Sequence, residues 1–126
     1  MLIIGHHWIK SQKFCKVFSL EELKKTQADE IVLLEILVNS HTLAQYCQEN
    51  NIAYAVEATS IDDALFANAL GAKYMICEKD VALTIQPIAQ EYLFDTRLLV
   101  RIDNEKEMTK LAKSGIDGVI FTEAIK

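Results

Sequence analysis

The stretch from Ser60 to Glu78, SIDDALFANALGAKYMICE, carries the reading of the fold. Asp63 follows Ser60 at the spacing where a hydroxyl caps a helix N-terminus and an acid three residues on answers the cap's own amide. A short helix follows, and Gly71 ends it, since glycine takes the left-handed conformation at little cost. Lys73 to Glu78 then reads as an apolar strand. Cap, helix, stop and strand make one unit.

That unit recurs in both directions along the chain. The caps are Ser19, Ser40, Ser60, Asp80 and Asn104, and Ser19 with Glu22 and Asn104 with Glu107 repeat the acid three residues on. Asn51, Gly71 and Gly115 stand at the matching stop positions, with Gly71 and Gly115 expected at positive φ. The strands are Phe14 to Phe18, Ile31 to Leu37, Ile52 to Ala58, Lys73 to Glu78, Leu98 to Ile102 and Ile116 to Thr122. Met1 to Ile9 reads as strand or irregular. Pro87 predicts a kink or restart in the Asp80 helix, while Ile85, Ile88, Ala89 and Tyr92 share a face that should pack on the sheet.

Strands such as Ile31-Val32-Leu33-Leu34 are apolar without alternation, as strands covered on both faces are, and short helical links between them give right-handed parallel crossovers. Val32, Leu34, Ile36, Val56, Ile76, Val100, Ile102 and Ile120 form the expected core. The fold class is therefore α/β, a single domain over residues 1 to 126. We expect an open, mainly parallel sheet with helices on both faces, or else a TIM-like half-barrel that pairs with a partner. A complete eight-unit barrel takes about 200 residues or more, so 126 residues are too few to close one.

Composition narrows the function classes. Hydrophobic residues make up 51% and charged residues 25%, which suits one globular core. Met1 to Ile4 falls well short of the ~20 apolar residues of a membrane span, so we expect a cytoplasmic protein with no membrane association. The formal charge of -5 opposes a polyanion, and Lys10, Lys13 and Lys16 read as a solvated face, so nucleic acid is not an expected partner. Cys15, Cys47 and Cys77 are too widely separated for a disulfide framework or a clustered metal site and read as buried, reduced thiols.

The helix-to-strand joints carry a resemblance as well. With Ala64-Leu65 and Leu70-Gly71-Ala72-Lys73-Tyr74, residues 60 to 123 resemble the βα units of phosphate-binding TIM barrels. The last unit, Asp103 to Met108 and Gly115 to Thr122, resembles the terminal unit of glycerophosphodiester phosphodiesterases. The resemblance implies the unit architecture. It does not carry over catalytic roles: where that family has a His-Arg pair this chain has His6-His7-Trp8, and its one Glu-x-Asp, Glu78-Lys79-Asp80, lies in a later unit.

In parallel sheets ligands gather at the carboxyl ends of strands. The candidate ligand-binding residues are accordingly Glu35, Glu57, Glu78, Arg101, Asp103 and Glu123. Glu57, Cys77 and Arg101 are expected to share a side-chain direction, with Glu57 and Arg101 able to pair around an anionic or hydroxylated ligand or as a structural ion pair. A divalent cation among the carboxylates is a weaker alternative, and no metal or cofactor is assigned. His6 and His7, adjacent on a strand, would point to opposite faces; one of them as a general base stands against both as ordinary histidines beside Trp8. His41 reads as surface.

Two functions remain open at this level. One is a non-catalytic binding or interaction domain with a small anionic ligand at the strand ends. The other is a small hydrolase or lyase acting on a phosphorylated metabolite. Self-association as a homodimer is expected too, because an open sheet leaves two edges and Leu2, Ile3, Ile4, Trp8, Ile9 and Ile125 lack a later unit to cover them.

Overall fold

Parallel strands bury both faces, and the apolar runs of this chain pair accordingly. The computed structural model describes all residues from Met1 to Lys126. The strands are β1 (Leu2–Ile4), β2 (Lys13–Lys16), β3 (Glu30–Leu34), β4 (Tyr54–Glu57), β5 (Tyr74–Cys77), β6 (Arg97–Ile102) and β7 (Gly118–Phe121). They form one seven-stranded sheet, parallel throughout, in the order β1-β7-β6-β5-β4-β3-β2. The helices α1 (Leu20–Lys25), α2 (Leu37–Glu49), α3 (Ile61–Ala69), α4 (Lys79–Glu91) and α5 (Met108–Lys113) each link one strand to its immediate neighbour.

Five crossovers of one hand, each advancing the same way, put every helix on the same face. The two cores show this division. Buried helix residues such as Leu23, Ala44, Cys47, Ala67, Ile85 and Leu111 pack with one set of strand side chains. The other set, Ile4, Phe14, Ile31, Leu33, Ala55, Ile76, Leu99 and Ile120, packs with itself, with Ala124 and with the half-buried Tyr74 and Ile125. Every strand contributes to that inner cluster, so the sheet curls around it. Of the two expected arrangements, the open parallel sheet with flanking helices thus takes the half-barrel form, with helices on one face rather than both.

The loop after β1 shows how far the curl goes. A flat sheet would hold β1 and β2 six strand spacings of about 4.8 Å apart, or roughly 29 Å. The short segment joining them folds back on itself instead, with Gly5 N donating to Ser11 Oγ at 3.0 Å and Ile9 N to His6 O at 2.9 Å. Residues at the C-terminal end occupy the gap between the edges. Ile125 bridges Phe14 on β2, Lys126 N donates to Phe14 O at 2.8 Å, and the Lys126 amine pairs with Glu30. On the other side Gly5 has φ 92°, and a Cβ there would stand 2.9 Å from Ala124 Cβ. The β2 edge is therefore bridged by the chain's own C-terminal residues, while β1 pairs on one side alone and Leu2, Trp8 and Ile9 remain exposed, Trp8 at 83%.

Most of the predicted caps act locally, but the acids three residues on do not take the cap's own amide: Glu22 accepts from Ser19 Oγ and Asp63 from Thr59 N. Ser19 accepts from Glu22 N, Ser60 from Asp63 N and Asn104 from Lys106 N. Ser40 and Asp80 are not caps. Burial of Leu37 starts α2 earlier, so Ser40 lies inside it and donates to Glu35 O at 2.6 Å; α4 starts at Lys79, which places Asp80 within its first turn. No restart occurs at Pro87: α4 runs unbroken from Lys79 to Glu91, with Leu83 and Pro87 both on its exposed side, so the carbonyl that loses its helical donor faces solvent. Of the expected core, Ile36 alone is only half-buried, standing at the start of α2.

Four helices end in the same closed turn. Ile52 N donates to Cys47 O, Ala72 N to Ala67 O, Phe94 N to Ala89 O and Ile116 N to Leu111 O. The left-handed residue in each is Asn51 (φ 56°), Gly71 (φ 82°), Leu93 (φ 53°) and Gly115 (φ 76°). Leu93 is the unfavourable one, since a left-handed L-residue costs roughly 1–2 kcal/mol. We expect Leu93→Gly to raise the unfolding free energy by about 1 kcal/mol and Gly71→Val to lower it by at least that much. Urea denaturation of the two variants checks both signs.

Candidate functional site

The inward-facing side chain of each strand becomes polar one step beyond the inner cluster. Register shows it: Glu57 pairs with Ile76, Arg101 with Ile120 and Lys16 with Leu33, and all three partners belong to that cluster. Glu57, Arg101 and Lys16 thus lie on the inner face at the mouth of the curl. Cys77 does not share their direction. It pairs with Val100 and is buried on the helix side, so the expected alignment of Glu57, Cys77 and Arg101 is one residue out of step.

Arg101 takes a different partner from the one expected. Its Nε donates to Glu78 Oε1 at 3.2 Å and its Nη2 to the same oxygen at 2.9 Å. Strand order explains this, since Glu78 directly follows β5, the neighbour of β6, whereas Glu57 on β4 is two strands away, roughly 10 Å. Glu35 and Glu57 are half-buried, and neither belongs to any of the three ion pairs in the chain.

Asp103 and Glu123 come together elsewhere at the mouth. They line a cleft of about 310 Å³ with Gly5, His6, His7, Asn104, Glu105 and Phe121. Asp103 Oδ1 accepts from Thr122 Oγ1 at 2.6 Å, which ties β6 to β7 at their ends. The six candidate residues therefore divide into the Glu78–Arg101 pair, the Asp103 and Glu123 cleft, and the unpaired Glu35 and Glu57.

His6 was missed as an organising residue. β1 ends at Ile4, and the turn at Gly5 stacks His6 on His7 at 4.4 Å rather than sending them to opposite faces. His6 Nδ1 accepts from Trp8 N at 3.1 Å, so Nε2 carries the proton and donates to Glu105 Oε2 at 2.8 Å. Both nitrogens are occupied and the side chain is only 9% exposed. This imidazole fastens the β1 loop to the segment after β6. The pairing partner lies at the far end of the chain, and no local spacing marks it. His41 is exposed, as expected, but lies within α2.

No group of three or more His, Cys, Asp or Glu side chains is arranged to hold a metal ion. No helix is long and apolar enough to cross a membrane. The sequence matches no protein-family model and no curated protein.

All three cysteines are free, Cys15 half-buried and the other two buried. Burial raises the Cys47 thiol from 9.0 to about 11. Burial first, then the nearby Asp63 and Glu78 carboxylates, raise Cys77 to about 12. Unfolded thiols bind their protons less tightly, so this contribution to stability is intact below about pH 9 and falls as pH rises toward the folded values. We expect an aromatic disulfide reagent near neutral pH to titrate Cys15 alone in the folded protein and all three thiols in denaturant.

Proposed function

We propose that this chain is a non-catalytic binding domain that takes a small anionic ligand at the carboxyl edge of its curled sheet, on Arg101 beside the start of α4. The guanidinium carries the reading. Both of its hydrogen bonds go to one oxygen of Glu78, whose side chain is 66% exposed, so a phosphate or carboxylate offering two oxygens can displace it and engage the fork.

The start of α4 adds to this. Its N-cap, Glu78, makes no side-chain capping bond, so the first-turn N–H groups remain available and the helix dipole favours an anion there. A binding role is favoured over hydrolysis because His6, the most enclosed base at this edge, has both nitrogens engaged in holding loops. Glu35 and Glu57 set the specificity on this reading, disfavouring highly charged anions and accepting hydroxyl donors on the ligand.

The test is thermal unfolding with inorganic phosphate, sugar phosphates and small dicarboxylates. A ligand at about 100 times its Kd adds about 2.7 kcal/mol to stability. We expect the stabilisation to vanish in Arg101→Met and to grow in Glu78→Gln, which frees the guanidinium. An equal shift in wild type and Arg101→Met, or none with any probe, would sink the proposal. Phosphate release from a bound ester would make the domain a small hydrolase instead.

A further inference from the structure

Helices α3 and α4 lie side by side on the outside of the sheet, and the trough between them is unfilled. Ile61, Leu65 and Asn68 follow one another along one face of α3, opposite Ile88, Glu91 and Tyr92, around a space of about 550 Å³ with Phe94 at its base. Tyr92, which the helical spacing assigned to the sheet-facing side, is 70% exposed here, and Ile61 and Leu65 across the trough are exposed as well. These large apolar groups are concentrated at one place rather than scattered.

Leu93 supplies a second observation. It occupies the left-handed position that Gly71 and Gly115 fill in the neighbouring units, yet it is a leucine at φ 53° and its side chain is 84% exposed. A strained backbone that presents an apolar side chain to water gains nothing within the fold, and such outliers gather at functional surfaces.

Charge says what fits there. From Thr26 to Ala72, and again from Asp80 to Thr96, the chain contains no lysine or arginine. Asp62, Glu91 and Asp95 stand exposed around the trough. A second copy docking through the same face would bring two sets of these acids into one contact with no basic side chain from either trough between them. A partner with basic flanks would neutralise them.

We propose that the trough between α3 and α4 is a docking site for an amphipathic helical segment of another protein, apolar on one face and flanked by Lys or Arg, with Leu93 as a projecting anchor. The apolar face seats on Leu65, Ile88 and Tyr92, the helix-in-groove mode of recognition. The flanks meet Asp62, Glu91 and Asp95, so association weakens with salt. This surface lies on the outside of the helix layer, away from the strand mouth, and is independent of the anion site.

The test uses two fluorescent helical peptides with the same leucine face, one with lysine flanks and a twin with glutamate at every lysine. Fluorescence anisotropy should show the lysine peptide binding the full chain at least about tenfold more tightly than its twin, with Leu93→Gly and Leu65→Ser each weakening it about tenfold. Leu93→Gly relieves backbone strain, so its loss of binding cannot come from unfolding. Phe18→Ser, at an exposed apolar residue outside the trough, should change nothing. Equal binding of the two peptides, or unchanged binding by Leu93→Gly and Leu65→Ser, would overturn the proposal. So would a concentration-dependent dimer in light scattering that Leu93→Gly abolishes, which would assign the face to a second copy.

Discussion

Each helix carries the chain to the adjacent strand with the same hand and in the same direction, and the rest of the molecule follows from that constraint. A sheet wound this way receives helices on one face only. Its other face, just as apolar, has nothing to cover it but itself. Curling brings Phe14 from one edge and Ile4 from the other into a single cluster, and Ala55 on β4 is small enough to leave room for them. The end of the chain then lies between the two edges, where Ile125 continues the ladder beside β2. One of the two edges, that of β2, is thus met within the chain.

The curl also makes the mouth polar. Side chains alternate along each strand, so the inward series that fills the cluster continues into Lys16, Glu57 and Arg101 where the strands meet solvent. Acids outnumber bases at this edge, and their arrangement follows strand adjacency: Glu78 reaches Arg101 because β5 and β6 are neighbours. The His6 to Glu105 bond joins the loops after β1 and β6, with β7 between them, and gives that side of the mouth a fixed wall.

The outer surface behaves differently. Helix endings repeat with little variation, and Leu93 departs from the pattern at the one place where an apolar trough opens beside it. Two surfaces with separate chemistry therefore share the scaffold, a charged one at the strand ends and an apolar, acid-rimmed one between α3 and α4.

Much of the scaffold was legible in the residues because its determinants are local. Caps at Ser19, Ser60 and Asn104 and left-handed stops at Gly71 and Gly115 depend on atoms within one turn of helix, and the apolar strands declare burial on both faces. Ser40 and Asp80 carried the same local signal, but the packing of Leu37 and the earlier start of α4 placed those helix ends elsewhere. The candidate residues at the strand ends were identified by position, and their pairing was not. Whether Arg101 meets Glu57 or Glu78, which face Cys77 takes, where Leu2 to Ile4 pairs and what His6 holds depend on strand order and register. By itself, then, the sequence determined the units and their polarity, through short-range hydrogen bonding and burial. Only the tertiary structure decided the curl, the bridge at the β2 edge and the partners at the mouth, because these join residues distant along the chain and no local spacing encodes them.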